Sequence, residues 1–481
     1  MNHPRCILRA PMRAAALALL LAACSDGDTP PADVVPESGL EAHQQLARDI
    51  LRELIEIDTT QAGNTTIAAD AMAARLLAAG FPAEDVKVLG PTENRRNLVA
   101  RLRGRDDGRK PILLLAHIDV VAADPADWSL DPFTFTESDG FFYGRGATDD
   151  KDEAAIHVAN LIRMRREGFQ PDRDIIVALT ADEETGEQNG VKWLIANHPE
   201  LINAEYALNE GGGGSLRDGM HIANNVQASE KVFQSFTLEV TNPGGHSSLP
   251  VKENAIYRLA DALIRIRAHD FPVAINEVTM AFFERSAAIE DSELATAMRG
   301  VLQDPPDPSA IAYLSRLPYY NARLRTTCVV TRLQAGHAEN ALPQRAQATV
   351  NCRMLPTDSP QVVIQTLKTV INDEQVSVTP IKPAVPSPSS PLTPELLGAI
   401  EAVTAEMWPG VPVIPTMSTG ATDGLHLRNA GIPVYGVSGL FGEVADNRAH
   451  GRDERILIKS FFEGQEFLYR LTTRLAKEDA K

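Results

Sequence analysis

Three short, unbroken apolar runs stand out in the first half of this chain: Ile-Leu-Leu-Leu over 112–115, Ile-Ile-Val-Ala-Leu over 175–179 and Tyr-Ala-Leu over 206–208. Runs of this length without polar alternation are the signature of strands covered on both faces, as in a parallel sheet. Helix-period segments flank them: Leu46, Ile50, Leu51, Leu54 and Ile55; residues 66–77, closed by Gly80-Phe81-Pro82; and Ala154, Val158, Leu161 and Ile162. This alternation predicts an α/β domain with a mixed, parallel-rich sheet flanked by helices. Functional residues of such sheets collect at the carboxyl ends of the strands. There the runs lead into His117 (Leu-Ala-His-Ile-Asp), Glu183 and Glu184 (Ala-Asp-Glu-Glu-Thr-Gly) and Glu210 (Leu-Asn-Glu-Gly-Gly-Gly-Gly). Asp149, in Gly-Arg-Gly-Ala-Thr-Asp-Asp-Lys, and His450, in Arg-Ala-His-Gly-Arg-Asp-Glu, extend the set. His, Asp and Glu donors without a thiolate suit a catalytic metal better than a structural one.

After Lys231 the pattern changes. Residues 233–240 alternate, with Phe236, Leu238 and Val240 set against Ser235, Thr237 and Glu239. Further strand-like runs cover 326–333, 347–354 and 376–381, and helical periodicity covers 254–268 and 360–371. Two helices on an antiparallel sheet make a separate α+β domain. A Pro/Ser-rich connection over 383–394 leads back to apolar runs over 411–415 and 433–437 and to a terminal helix from Arg455. Because His450 lies in this last stretch, it completes the first domain, and the α+β domain is an insertion. The 481 residues also exceed what one hydrophobic core normally uses. The expected boundaries are 41–229 and 386–481 for the catalytic domain and 230–385 for the insertion.

The 46 Lys and Arg against 64 Asp and Glu leave a formal charge of -18. With no basic surplus to neutralise phosphates, nucleic acid is excluded as a partner. Residues 1–23 read as an export leader: Arg5, Arg9 and Arg13 precede a short apolar run that ends Leu-Ala-Ala-Cys24, which resembles a bacterial lipobox. Residues 24–40 are Pro- and Asp-rich and read as a disordered tether. The implied location is the bacterial cell envelope on its periplasmic side, with membrane contact only through a lipid at Cys24; Ser25 after the Cys favours the outer membrane by analogy. Export would permit a disulfide between Cys328 and Cys352, and two buried free thiols is the other reading.

Taken together and in this order, the motifs from about residue 41 onward are similar to those of the M20 family of di-zinc metallopeptidases and aminoacylases. Within it they resemble the Gly-X carboxypeptidase and N-acyl amino acid hydrolase branch most. The resemblance implies two zinc ions per subunit, with cobalt or manganese able to use the same ligands. Asp149 would bridge them, His117 and Glu210 would complete one, and Glu184 and His450 the other. It also implies a cis peptide between Asp149 and Asp150. Asp119, two residues after His117, suits an acceptor for the imidazole N–H. Glu183 would be the general base toward a metal-bridging hydroxide and then the acid toward the leaving amine. In the insertion, Asn242-Pro243-Gly244-Gly245-His246-Ser247-Ser248 resembles the family's lid motif, so His246 would stabilise the oxyanion in the partner subunit of a homodimer. Asn340, in Glu-Asn-Ala-Leu-Pro, and Arg353, in Asn-Cys-Arg-Met-Leu-Pro, match substrate-contacting positions, Arg353 receiving the substrate carboxylate.

One segment departs from the family. Thr422-Asp423-Gly424-Leu425-His426 carries Leu425 where many relatives have Arg, which weakens strict C-terminal carboxylate recognition; backbone N–H groups near Gly420 could substitute. The activity expected is zinc-dependent amide hydrolysis in short peptides or N-acyl amino acids. Two alternatives stand beside it: a deacylase of another small amide metabolite, and a non-catalytic peptide-binding lipoprotein.

Overall fold

The structure is a computed structural model that describes residues 39–105 and 108–477. The leader, Cys24 and most of the tether lie outside the described residues. No helix among the described residues is long and apolar enough to cross a membrane.

Among those residues the larger sheet has ten strands. Its order runs Val86–Thr92, Arg95–Leu102, Ile175–Thr180, Ile112–His117, Tyr206–Asn209, Val434–Gly436, Met220–Glu230, Gly213–Arg217 and Phe441–Glu443, with Val413–Ser418 pairing beside Met220–Glu230. The centre, from Ile175–Thr180 through Val434–Gly436, is parallel, and antiparallel pairs sit toward the edges. Every residue of Ile112–His117 and Ile175–Thr180 is buried, which is the physical reason these strands are apolar without alternation. Helices Ala42–Glu56, Thr65–Ala78, Lys151–Arg166 and Ile458–Leu475 cover one face through Leu54, Met72, Ile156 and Phe467. Helices Gly190–Asn197 and Gly424–Asn429 cover the other, packing Leu194 and Leu427 on Leu113, Leu115 and Ile176. The expected mixed sheet flanked by helices is the architecture found.

The chain leaves this sheet at Glu230 and enters a second, antiparallel one at Val232. Its order is Thr327–Ala335, Arg345–Met354, Val232–Thr241, Ser377–Pro380. Helices Ala255–Arg267 and Pro360–Ile371 bury Leu259, Ile266, Val363 and Leu367 against Phe236, Leu238, Val350 and Met354. The alternation read from the sequence is this one-sided burial. Phe233 and Arg353 are directly opposed in the register, as are Cys328 and Cys352. A disulfide joins the two cysteines, so the bridged reading is the one observed.

The sequence around Pro305 shows no helical or strand periodicity that would declare an element. Four helices lie there: Glu277–Ser286, Ser292–Val301, Pro308–Ser315 and Pro318–Leu324. Their buried Phe282, Phe283, Met298 and Leu314 pack against Ala223 and Ile414 of the larger sheet. None exceeds ten residues, too few for a 3.6-residue period to declare itself. Their ends are nonetheless encoded: Asn276, Asp291 and Asp307 each accept a first-turn N–H as N-caps.

Candidate active site

His117 is the last residue of strand Ile112–His117 and is almost fully buried. Its Nδ1 donates to the backbone carbonyl of Asp119 at 3.0 Å. The neutral ring therefore presents the Nε2 lone pair, 2.9 Å from Asp149 Oδ1. Two lone pairs at that distance hold only with a proton or a cation between them. His450 Nε2 faces carboxylates as well, 2.9 Å from Glu184 Oε1 and 3.1 Å from Asp149 Oδ2. One donor atom each from His117, Asp149 and Glu184 lie within 4.8 Å of one another. These imidazoles and carboxylates, converging on shared space, fit a metal of borderline softness. Asp149 touches both histidines, as a bridging carboxylate must.

The electrostatics agree. Burial opposes charge on both His117 and Asp149. The hydrogen bond between them and the surrounding carboxylates win, so His117 is pushed well above the usual imidazole range and Asp149 held well below the usual carboxylate range. The hydrogen bond to Asp149 raises His450 to about 9. Glu210, which follows strand Tyr206–Asn209, is pushed well up by burial and is close enough to His117 and Asp149 to exchange charge interactions with both. Burial also raises Asp150, Asp152 and Glu153 well above their usual range. So many desolvated carboxyls in one place call for positive charge.

Asp119 does accept the imidazole N–H, but through its backbone carbonyl. Its side chain is 3.7 Å from His117 Nδ1, and it is the backbone carbonyl that orients the imidazole. The carboxylate instead accepts the N–H of Glu183 on one oxygen and the N–H of Glu184 on the other, both at 3.1 Å. One buried acid thus fixes both glutamates. Asp182, just before them, adopts φ 64° to turn the chain out of the strand. Glu184 reaches His450, whereas burial pushes the Glu183 carboxyl up to about 10 and it has no side-chain hydrogen-bond partner among the described residues.

Two supporting residues escaped sequence reading. Glu454 is fully buried, pairs with Arg145 at 2.5 Å and accepts the N–H groups of Gly146 and Thr148. It clamps the loop carrying Asp149 to the segment carrying His450, and that loop runs through the cis Asp149–Asp150 peptide into helix Lys151–Arg166. Asp423 accepts from Thr180 Oγ1 and Asn189 Nδ2 behind the cluster, and burial raises it to about 6. Both are carboxylates whose partners lie hundreds of residues away, so no local spacing marks them. The run Gly211–Gly214 has a packing cause: a Cβ at Gly212 would collide with the carbonyl of Gly436. A cleft of about 850 Å³ opens beside Asp149 and Glu210, walled by Leu216, Tyr319, Leu440 and Val444.

The remaining candidates lie outside this cluster. His246 and Asn340 are neighbours on an exposed two-stranded ribbon, in which His246 pairs with Ala341 and Ser247 N–H donates to Asn340 O. Neither shares a hydrogen bond or ion pair with the cluster among the described residues. The Ser248 N–H donates to His246 Nδ1 at 3.2 Å, which puts the proton of the neutral ring on Nε2. Arg353 lies on the smaller sheet with its guanidinium 4.9 Å over the Phe233 ring. It is half-buried and has no carboxylate partner among the described residues; burial lowers its pKa. Gly420 sits in the loop before Asp423, its N–H donating to Ser418 Oγ.

A strand-end cluster of His, Asp and Glu on a mixed sheet, with a second α+β layer inserted, is the frame of a metallohydrolase. The chain belongs to peptidase family M20/M25/M40, whose sequence profile matches residues 113–474. It is 31% identical over 395 residues to a probable carboxypeptidase S-like 2 of Dictyostelium discoideum, covering 79% of this chain and 75% of that protein. It is likewise 31% identical over 363 residues to the N-fatty-acyl-amino acid synthase/hydrolase PM20D1 of Xenopus tropicalis, covering 74% of this chain and 70% of that protein. Among solved structures its fold is similar to the M20 family metallo-carboxypeptidase Sso-CP2 from Sulfolobus solfataricus (TM-score 0.66, 18% identity, 91% of this chain and 100% of that one). It is also similar to human carnosine dipeptidase 1 (TM-score 0.62, 16% identity, 90% and 96%).

Proposed function

We propose that this enzyme hydrolyses the amide bond that joins an acyl or aminoacyl group to an amino acid with a free carboxylate, in N-acyl amino acids or short peptides. The observation that carries the reading is the pairing of Glu184, in contact with His450, with Glu183, fixed beside it by the same Asp119 carboxylate but without a side-chain hydrogen-bond partner among the described residues. His117 and Glu210 would hold one zinc ion of each subunit, Glu184 and His450 a second, and Asp149 both; cobalt or manganese would fit the same donors. A metal bound there supplies Lewis acidity, polarising the scissile carbonyl and acidifying water. Glu183 takes the proton of the attacking water and returns it to the leaving nitrogen. A cation nearby draws its raised pKa back toward the range in which it can do both.

Arg353 receives the substrate carboxylate, because it is a half-buried guanidinium with no counter-ion among the described residues and a fork that matches a carboxylate. Asn340 and the backbone near Gly420 help to orient the substrate. His246, with its proton on Nε2, serves as an oxyanion donor across a homodimer. That geometry supports the amide hydrolases named among the relatives, both the carboxypeptidase-like and the N-fatty-acyl-amino acid type. The Leu-Ala-Ala-Cys24 motif supports attachment to the cell envelope through a lipid on Cys24; mass spectrometry of the detergent-extracted mature protein tests it, and an unmodified N-terminus ahead of Cys24 would reject it.

The deciding experiment is hydrolysis of a panel of Gly-X dipeptides and N-acyl amino acids, with chelator and with zinc restored. Chelator-sensitive turnover recovered by zinc is expected. Glu183→Gln should lower kcat by about 10²- to 10⁴-fold while two metals per chain remain bound. Undiminished turnover in that variant would remove Glu183 from its role.

A further inference from the structure

Arg353 is not the only uncompensated cation at its end of the smaller sheet. In the register it is flanked by Phe233 of strand Val232–Thr241 and by Thr327 of strand Thr327–Ala335. Directly opposed residues share a face of the sheet, with Cβ atoms about 5 Å apart. Thr327 Oγ1 accepts from Lys231 Nζ at 3.2 Å, and Arg325 O accepts from the same Nζ at 2.8 Å. Lys231 is fully buried and immediately precedes strand Val232–Thr241. Its side chain therefore runs from one neighbouring strand of Arg353 to the other and ends on the residue paired with Arg353.

The charge around this amine is mostly of its own sign. Arg353 and Arg323 both disfavour its protonation, and Asp358 is the acid that pulls the other way. Asp358 also accepts from Thr326 Oγ1. Arg323, on helix Pro318–Leu324, is buried 3.7 Å over the Tyr319 ring and makes no ion pair among the described residues. Lys382 lines a cavity together with Lys231 and adds another cation. Arg325 faces Asp270 at 3.6 Å, and Glu230, the residue before Lys231, pairs with Arg428 at 2.6 Å. Lys231 itself has no ion pair among the described residues. Desolvation first, and then Arg353, bring its pKa down to about 7. A buried amine among cations gains its charge cheaply only when an anion arrives beside it.

We propose that Lys231 is a positioning residue for the substrate carboxylate: it takes up a proton when the carboxylate docks on Arg353 and adds its charge to the grip. The inference rests on the reading of Arg353 as the carboxylate receiver. A carboxylate in the Arg353 fork favours the charged form of Lys231, so the pKa of Lys231 rises on binding. By reciprocity, binding is tighter when Lys231 is already protonated. Affinity is therefore full below about pH 7 and is lost as pH rises through the pKa of the complex. The neutral amine already spends both N–H groups on Arg325 O and Thr327 Oγ1. The added proton comes from solvent, takes the remaining position on Nζ and returns to solvent on release.

The test titrates N-methylsulfonylglycine, a carboxylate whose sulfonamide replaces the scissile amide, into the zinc-loaded enzyme by calorimetry. Buffers of different ionisation enthalpy give the proton uptake, and the affinity is followed from about pH 6 to 9. For a rise of one unit in the Lys231 pKa, about half a proton is taken up at about pH 7.5, and the affinity at about pH 6 is about tenfold that at about pH 9. Protons exchanged at the metal cluster are common to wild type and variants, so the difference isolates Lys231. Lys231→Met should lose the uptake and bind about tenfold more weakly at about pH 6. Lys231→Arg, whose charge cannot be lost in this range, should also lose the uptake yet keep the low-pH affinity throughout. A merely structural lysine would not split the two variants in this way. Equal proton uptake in wild type and Lys231→Met would overturn the proposal, and so would equal weakening by Met and Arg. No binding, or binding that Arg353→Lys leaves unchanged, would instead overturn the carboxylate-receiver reading on which it rests.

Discussion

Asp119→Asn separates two explanations of one residue. If the Asp119 side chain served mainly to orient the His117 ring, an amide oxygen could take that place at modest cost. The structure assigns that task to the Asp119 backbone carbonyl, at 3.0 Å, which the substitution keeps. What the substitution breaks is the pair of 3.1 Å bonds from the N–H groups of Glu183 and Glu184 to the two carboxylate oxygens. Asparagine can accept one of these, now without charge assistance, and must aim its NH₂ group at the other N–H. A weakened bond and a buried donor left without an acceptor together cost about 2–4 kcal/mol. Because the penalty falls on the turn that carries Glu183 and Glu184, it should appear in function as well as stability. The expectation is a loss of roughly 10- to 100-fold in metal affinity and a larger fall in kcat, since the base is displaced together with the ligand. Competition with a chromophoric chelator measures the first, and steady-state kinetics at saturating zinc the second. Metal affinity and kcat both within twofold of wild type would refute the reasoning.

Arg353→Lys keeps the charge but loses the planar fork; kcat/KM should drop about 10- to 100-fold, with Tm nearly unchanged because Arg353 makes no ion pair among the described residues. Equal kcat/KM would exclude carboxylate recognition at this position. Arg428→Leu leaves Glu230 buried without its cation and should destabilise by about 3–5 kcal/mol, read by urea denaturation; since Glu230 also binds Ser387 and Thr422, the loss loosens both crossings between the sheets. Lys231 is buried, and its pKa is lowered by desolvation to about 7 from 10.5. The unfolded chain therefore holds a proton the folded one lacks between about pH 7 and 10.5, and stability from this group rises with pH across that window. Lys231→Met should flatten that rise in urea midpoints measured from pH 7 to 10, and an identical slope in both proteins would reject the buried-lysine account.

Much of this was legible before any coordinates. The strand ends at His117 and Glu210 are visible because both faces of their strands are covered, which forces unbroken apolar runs that stop where the polar donors begin. The one-sided sheet of the insertion shows as alternation over Val232–Thr241 and Arg345–Met354 for the complementary reason. The helices over Glu277–Leu324 did not show, because each is a few turns long and its apolar face answers to Ala223 and Ile414, which are remote in sequence.

The amino-acid sequence by itself determined the fold class and set metal-type side chains at the strand ends, since burial periodicity and residue chemistry are local properties. Only the tertiary structure decided that Asp119 grips two glutamates and that Glu454 clamps the Asp149 loop. It also decided that Cys328 meets Cys352. These depend on which distant side chains and backbone atoms come within a few ångströms of one another, and that distance is set by packing rather than by position along the chain.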